Sequence, residues 1–454
     1  MELNRTPDSP HPVFSADRIK SVDVVRGVAL LGILLMNIPG FGIHWSKFFE
    51  IIKGPYDSVD FKTMQTIFIF FEGTMRGLFS MLFGAGMILF MMNKKEVPGA
   101  PTVAEYYYRR LLWLVLFGVF NAYILLWRGD ILFFYGIAGM LLFPFRNAGT
   151  KWLLTLSALC LFVGLLKIDS NYQDLRNKRH AYHAAVKAEK EKKKLTPAQE
   201  QAKAEWQEME KQRTTVDSAI VNKDLEAMHS NYPTIFRHLL PQNAGSETWG
   251  GYHGIWDSLT MMFLGMALFT VGFFSNKCNT STYLLCLIIG YTIGITCSWA
   301  MFWKGVIGGV NIGQYVDQYR VGHEILYDWK RVFISLGHAS LIMLVYRSQL
   351  VPWLMQALSN VGQMAFTNYL MQSIFCTFYF NGYGFDKYNE LRFHQLYYVV
   401  IIIWIFQLIF STIWLRYFRF GPFEWLWRSL TYWKLQPMRL HRTEPVANFE
   451  KELA

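Results

Sequence analysis

Asp23 and Arg26 head an apolar run, Arg18-Ile-Lys-Ser-Val-Asp23-Val-Val-Arg26-Gly27-Val-Ala-Leu-Leu-Gly-Ile-Leu-Leu-Met-Asn37. An acid and a base three residues apart share one helix face, so each neutralises the other as the helix enters a bilayer. Glu72 and Arg76 repeat the arrangement four residues apart, with Gly73 and Gly77 between and beside them. They either pair across a close helix contact or face a polar cavity. A third group surrounds the turn Arg128-Gly129-Asp130, with Asn121 about two helical turns upstream. A three-residue turn is expected to hold Arg128 and Asp130 close together at the outer surface, or to let Asp130 cap the following helix. Carboxylates in such places take or give protons, amides orient a substrate and guanidiniums hold anions. The candidate catalytic residues are Asp23, Asp130 and Asn121.

Further polar side chains lie in apolar stretches. Asn368 and Gln372 stand one above the other on a helix face, where interhelical hydrogen bonding accounts for them. His338, with no carboxylate near it in sequence, is expected as a hydrogen-bonded core histidine. Arg109-Arg110 either orients its span or meets an anionic head group. The segment Phe420-Gly-Pro-Phe-Glu424-Trp-Leu-Trp-Arg428 mixes aromatic and charged residues as an interfacial helix does. The candidate binding residues are therefore Arg26, Asn37, Glu72, Arg76, Arg109, Arg110, Arg128, Asn368 and Gln372. No phosphate loop, metal-ligand spacing or nucleophile elbow is present, so no metal is expected.

The elements that must carry these residues are membrane helices. The 454 residues are 52% hydrophobic, 17% aromatic and only 17% charged, and the mean hydropathy of +0.18 is held down by one charged block. Stretches near the bilayer length of about 20 residues fall at roughly 21–43, 64–92, 109–127, 130–146 and 152–168, and again at 256–275, 281–303, 330–348, 356–380 and 396–416. The expected fold is an all-α polytopic membrane protein with about ten transmembrane helices and a charged helical hairpin inserted between helices five and six. In the hairpin, Thr196 and Gln199 form a capping box ahead of a second helix. The block reads mainly as a solvated decoration, with a partner-binding or gating role as the alternative.

The expected organisation is a disordered tail over 1–17, an N-terminal membrane half over 18–168, the charged insertion over 169–250, a C-terminal membrane half over 251–434 and a second tail over 435–454. Basic residues collect in alternate loops, at Lys94, Lys95, Arg109, Arg110, Arg146, Lys151, Lys277 and Arg347. Both termini are thus expected in the cytoplasm and the insertion outside. The net charge of +11 reflects this orientation, and no nucleic acid is expected as a partner. The five cysteines have no paired spacing and imply neither disulfides nor zinc.

Several segments together resemble the bacterial YeiB-like inner-membrane family, also called domain of unknown function 418. They are the Arg18 to Asn37 run, Leu78-Phe-Ser-Met-Leu-Phe-Gly-Ala-Gly86, Arg128-Gly-Asp-Ile-Leu132, Thr367-Asn-Tyr-Leu-Met-Gln-Ser373 and Phe420 to Arg428, in that order. The opening run also looks, more distantly, like the first helix of transmembrane acyltransferases such as heparan-alpha-glucosaminide acetyltransferase. That resemblance implies an acyl group moved from cytosolic acyl-CoA, as co-substrate, to an envelope glycan or lipid. Those enzymes carry a functional histidine in the outer loop after the first span, where this chain has only His44. Within the closer family the position ahead of the Gly-Asp turn is often histidine, and here it is Asn121, which orients a substrate but takes no proton near neutral pH. The same ion pairs would also serve a transporter of a small anionic solute. The lipid bilayer and a second copy of the chain complete the expected partners.

Overall fold

A computed structural model describes residues 18–92, 101–214 and 217–440. The expected tail over 1–17, most of that over 435–454, and Lys94 and Lys95 lie outside the described residues. The described chain is helical throughout, with one isolated bridge between Phe418 and Arg439. In order, α1 is Lys20–Gly42, α2 Trp45–Ile52, α3 Val59–Phe70, α4 Thr74–Met92, α5 Val103–Val119 and α6 Leu132–Leu142. The middle comprises α7 Thr150–Lys190, α8 Pro197–Thr214, α9 Ser218–Met228, α10 Tyr232–Gly245, α11 Gly251–Thr270 and α12 Thr280–Ala300. The remainder is α13 Ile312–Gln318, α14 Leu326–Ser348, α15 Pro352–Gln363, α16 Ala365–Phe380, α17 Leu396–Trp414 and α18 Pro422–Tyr432.

This is a membrane protein by the character of its helices. Among the described residues five segments are long and apolar enough to cross a bilayer: Lys20–Gly42, Val59–Met92, Thr150–Lys190, Thr280–Val310 and Leu396–Trp414. Leu132–Phe145 and Gly254–Thr270 are apolar but shorter. The segment expected at 356–380 is two helices, because the backbone breaks at Met364 between α15 and α16. The one expected at 109–127 ends in a π-helical turn, Phe120–Ile124. Such turns leave backbone groups for other partners and recur at functional positions.

Helix α1 is the buried centre, and glycines set how closely its neighbours approach. A Cβ on Gly27 would lie 2.1 Å from the Leu358 carbonyl oxygen, so α15 crosses α1 backbone to backbone. The two ends of the bundle are fixed by named contacts. At the Asp23 end, Ser21 Oγ donates to the Phe274 carbonyl (2.6 Å) and Arg347 to the Cys278 carbonyl (2.8 Å). At the opposite end Asn389 N–H donates to the Gly42 carbonyl (2.8 Å).

The charged block is docked rather than loosely solvated. Helix α7 continues without interruption from its apolar half, and α8 packs back on it after the Thr196–Gln199 capping exchange. Tyr172 and Trp206 then share a small second core with Ile312, Tyr315 and Val316 of α13. Arg179 clamps this core, donating to Asp317 (2.6 Å) while lying 4.9 Å from the Trp206 ring. Helices α9 and α10 cover the far end of the bundle, where Tyr232 OH donates to the Ile124 carbonyl (2.9 Å) and Met228 O accepts from Gly382 N–H (2.9 Å).

The Arg179 hydrogen bonds hold the Asp317 carboxyl at about 2, below the usual carboxylate range and against the opposing effect of desolvation. A depressed carboxyl contributes fully above its unfolded value of about 4. That contribution is lost as pH falls from about 4 to about 2. Hydrogen-exchange protection of α8 should therefore be flat from pH 7 to 5. Arg179→Ala should lower it about fivefold, the upper range for a partly exposed pair; unchanged protection would show that the apolar core alone holds the block.

Candidate functional site

An internal cavity of about 230 Å³ opens at the Asp23 end, between the first turns of α1, the middle of α4, α5, α6, the α15–α16 break and α18. Its walls are largely apolar, supplied by residues such as Leu82, Phe83, Phe90, Leu114 and Phe366. The charged residues are Arg18, Arg26, Arg110 and Arg428 against Asp23 and Glu424, an excess of two guanidiniums.

The two carboxylates are occupied. Asp23 accepts from Arg26 (2.7 Å) and from Arg18 through Nε (3.0 Å) and Nη2 (3.1 Å), which fixes the chain entering α1. Glu424 reaches from α18 to the start of α16, where it accepts from the N–H groups of Phe366 (2.7 Å) and Thr367 (3.0 Å) and from Thr367 Oγ1 (2.5 Å). It thereby caps a helix whose first amides the break at Met364 leaves without intrahelical partners. Arg110 lies 3.9 Å from the Trp427 ring and Arg428 4.5 Å from the Phe420 ring. Among the described residues neither has a carboxylate within ion-pair distance. Aromatic rings orient both groups yet leave their N–H groups for an anion.

Ile131, Leu132, Tyr135 and Tyr369 form the cavity's other end. Tyr369 OH accepts from Ile131 N–H (3.2 Å) and lies 3.5 Å from Asp130 Oδ1. Asp130 is buried behind this wall, accepting from Asn121 Nδ2 (2.8 Å) and from Phe133 N–H (2.9 Å) at the head of α6. The π-helical turn sets Asn121 opposite Asp130.

The remaining sequence candidates scatter. Glu72 and Arg76 do not pair with each other, because the turn between α3 and α4, with Gly73 at φ +74°, rotates them apart. Glu72 binds Lys330 of α14 (2.5 Å), while Arg76 binds Asp257 of α11 (3.2 Å), which also pairs with Arg331. Arg128 and Asp130 do not meet at a common surface. Asp130 turns inward, and Arg128 bonds Gln242 (3.0 Å) and the Gly40 carbonyl (3.1 Å). Asn368 bonds Ser411 (2.9 Å) and Gln372 bonds Gln407 (3.1 Å), joining α16 to α17. Arg109 faces away from the cavity that Arg110 lines, and Asn37 does not line it. Of Asp23, Arg26, Asn37, Glu72, Arg76, Asn121, Arg128 and Asp130, only Asp23 and Arg26 line the cavity.

His44 accepts from Ser46 N–H and lies 3.3 Å from Asp224 of α9. Burial pushes its imidazole below the usual histidine value. His338 is a core histidine, bonded to the Tyr291 hydroxyl (2.8 Å) and the Phe70 carbonyl (2.9 Å).

Sequence reasoning missed Asp257, Lys330 and Arg331, although Asp328-Trp-Lys-Arg331 stands openly at the head of an apolar run. It also gave Glu424 and Arg428 to an interfacial helix without joining them to Asp23. Only the tertiary fold brings α18 against α5 and α16, so that it shares the cavity with α1.

Residues 268–434 match the family described as protein of unknown function (DUF418). The chain is 29% identical over 441 residues to uncharacterized protein YxaH of Bacillus subtilis, covering 95% of this chain and 98% of that one. It is also 29% identical over 434 residues to uncharacterized protein YeiB of Escherichia coli, covering 91% and 96%. The chain thus carries a DUF418 match over its C-terminal part and is similar to both relatives along nearly its whole length. A third relative, an uncharacterized 39.9 kDa protein in the amylase 3' region of Bacillus acidopullulyticus, is 25% identical over 448 residues, covering 95% and 99%. No solved structure matches. Helices α12 to α18 fall in the matched region, which therefore includes Tyr369, Glu424 and Arg428 but not Asp23, Arg110 or Asp130.

Proposed function

We propose that this protein is a ten-span bacterial inner-membrane acyltransferase with both termini in the cytoplasm, moving an acyl group from cytosolic acyl-CoA to an envelope glycan or lipid. The observation that carries this reading is the cavity: apolar along its walls, with two carboxylate-free guanidiniums, Arg110 and Arg428, among its lining residues. Such a site suits a ligand with an anionic head and an apolar tail. The orientation is supported by Arg146, Lys151, Lys277 and Arg347, which belong to segments gathered at the Asp23 end.

In this reading the phosphates of coenzyme A rest on Arg110 and Arg428, with the thioester extending towards Tyr369. Arg26 is held by Asp23 and shapes the rim, so Asp23 is a positioning residue rather than a base. An acceptor hydroxyl attacks the acyl carbon, forming a C–O bond as the C–S bond breaks. Its proton passes to Tyr369 OH as Tyr369 gives its own to Asp130, and the departing thiolate is protonated by the same path in reverse. Asn121 keeps Asp130 aimed at Tyr369.

The test is label transfer. Membranes containing the protein should move the label of radioactive acyl-CoA into an envelope glycan or lipid fraction, and membranes lacking it should not. Equal labelling in both, or uptake of a small anion with no covalent labelling, would overturn the reading in favour of a transporter.

A further inference from the structure

Arg109 sits beside Arg110 but on the other side of α5, at the outer surface of the Asp23 end. Its guanidinium lies 5.8 Å from the Tyr106 ring and 5.5 Å from the Trp433 ring, and it donates to the Thr431 carbonyl (3.3 Å). Among the described residues no carboxylate lies within ion-pair distance of it. Trp433 reaches this position because it ends α18 in the left-handed conformation, at φ +52°. Its ring is left 76% exposed.

Below the guanidinium, Leu112, Trp113 and Leu116 continue along the same helix face, and both leucines are more than half exposed. Together with Arg109, Tyr108 and Trp433 they line one shallow groove, whose one carboxylate, Glu105, is engaged in the capping box by accepting from Thr102 N–H. A cation at the head of an apolar groove, on a helix that the ten-span reading places in the bilayer, complements a phosphate joined to an acyl chain. Neither water nor a second charged helix suits both halves of this surface.

We propose that this groove is a binding site for one anionic phospholipid, its phosphate on Arg109 between Tyr106 and Trp433 and an acyl chain along Leu112 and Leu116. The site is separate from the cavity and stands whether or not acyl transfer is the reaction, but it rests on the proposed ten-span arrangement, in which α5 is a membrane helix. Trp427 orients Arg110 inward while Trp433 flanks Arg109 outward, so α18 organises both anion sites from one element.

Native mass spectrometry of the full chain in detergent, titrated with phosphatidylglycerol, phosphatidylcholine or inorganic phosphate, tests this. Arg109→Ala should weaken phosphatidylglycerol binding about fivefold, the effect of one basic residue near an anionic surface, and leave phosphatidylcholine unchanged. Trp433→Ala, at a largely exposed residue, should weaken it in the same direction without risk to folding, and Arg110→Ala should not. Equal phosphatidylglycerol binding by wild type and Arg109→Ala would overturn the proposal. So would an Arg109-dependent site that takes inorganic phosphate as well as lipid, or loss of the lipid with Arg110→Ala alone.

Discussion

Glu72→Ala is expected to destabilise the protein by about 3–5 kcal/mol, the usual cost of stranding one member of a buried ion pair. Its partner Lys330 is wholly buried, with Nζ 2.5 Å from Glu72 and 4.0 Å from the centre of the Phe68 ring. Without the carboxylate that ammonium is a lone charge inside an apolar bundle. The loss should appear as a collapse of monodisperse protein on size-exclusion chromatography and a lower unfolding temperature. Glu72→Gln combined with Lys330→Met should recover most of it, because removing both charges removes the desolvation cost with the attraction. A stable Glu72→Ala protein would mean that Lys330 finds other compensation.

Asp130→Asn should leave the fold intact and lower acyl transfer at least about 100-fold, within the range for removing a general base. The asparagine keeps the shape and one acceptor oxygen, so it retains one of the two bonds that Phe133 N–H and Asn121 Nδ2 make to separate oxygens of Asp130, and it cannot receive the Tyr369 proton. Tyr369→Phe should act in the same direction, and the two losses should not add, since they interrupt one relay. Undiminished transfer by a well-folded Asp130→Asn protein would leave Asp130 as a cap of α6 and nothing more.

How far the sequence foretold the site depends on the range of each contact. The Asp23–Arg26 pair and the Thr196–Gln199 capping exchange were legible because both are set within one or two helical turns. Glu72 and Arg76 misled for the same reason: four-residue spacing promises a shared face only if the helix is unbroken, and Gly73 breaks it. Their true partners, Lys330 and Asp257, lie more than 180 positions away and are chosen by helix packing. Asp130 was recognisable as a special residue, but its inward turn follows from the π-helical turn that brings Asn121 round to meet it. The cavity was the least legible feature. It is assembled from α1, α4, α5, α6, α16 and α18, and the residues that give it an anionic preference came from two segments first assigned to orientation and to the interface.

The central claim is that the cavity binds the anionic head of an acyl donor through Arg110 and Arg428. Calorimetric titration of the purified protein in nanodiscs with acyl-CoA measures it most directly. Saturable binding is expected for the wild type and for Asp130→Asn, with at least a tenfold weaker dissociation constant in the Arg110→Ala/Arg428→Ala double variant, since a lost charge-assisted contact costs about 1.5–3 kcal/mol. Absence of binding to the wild type, or equal affinity in the double variant, would contradict the account.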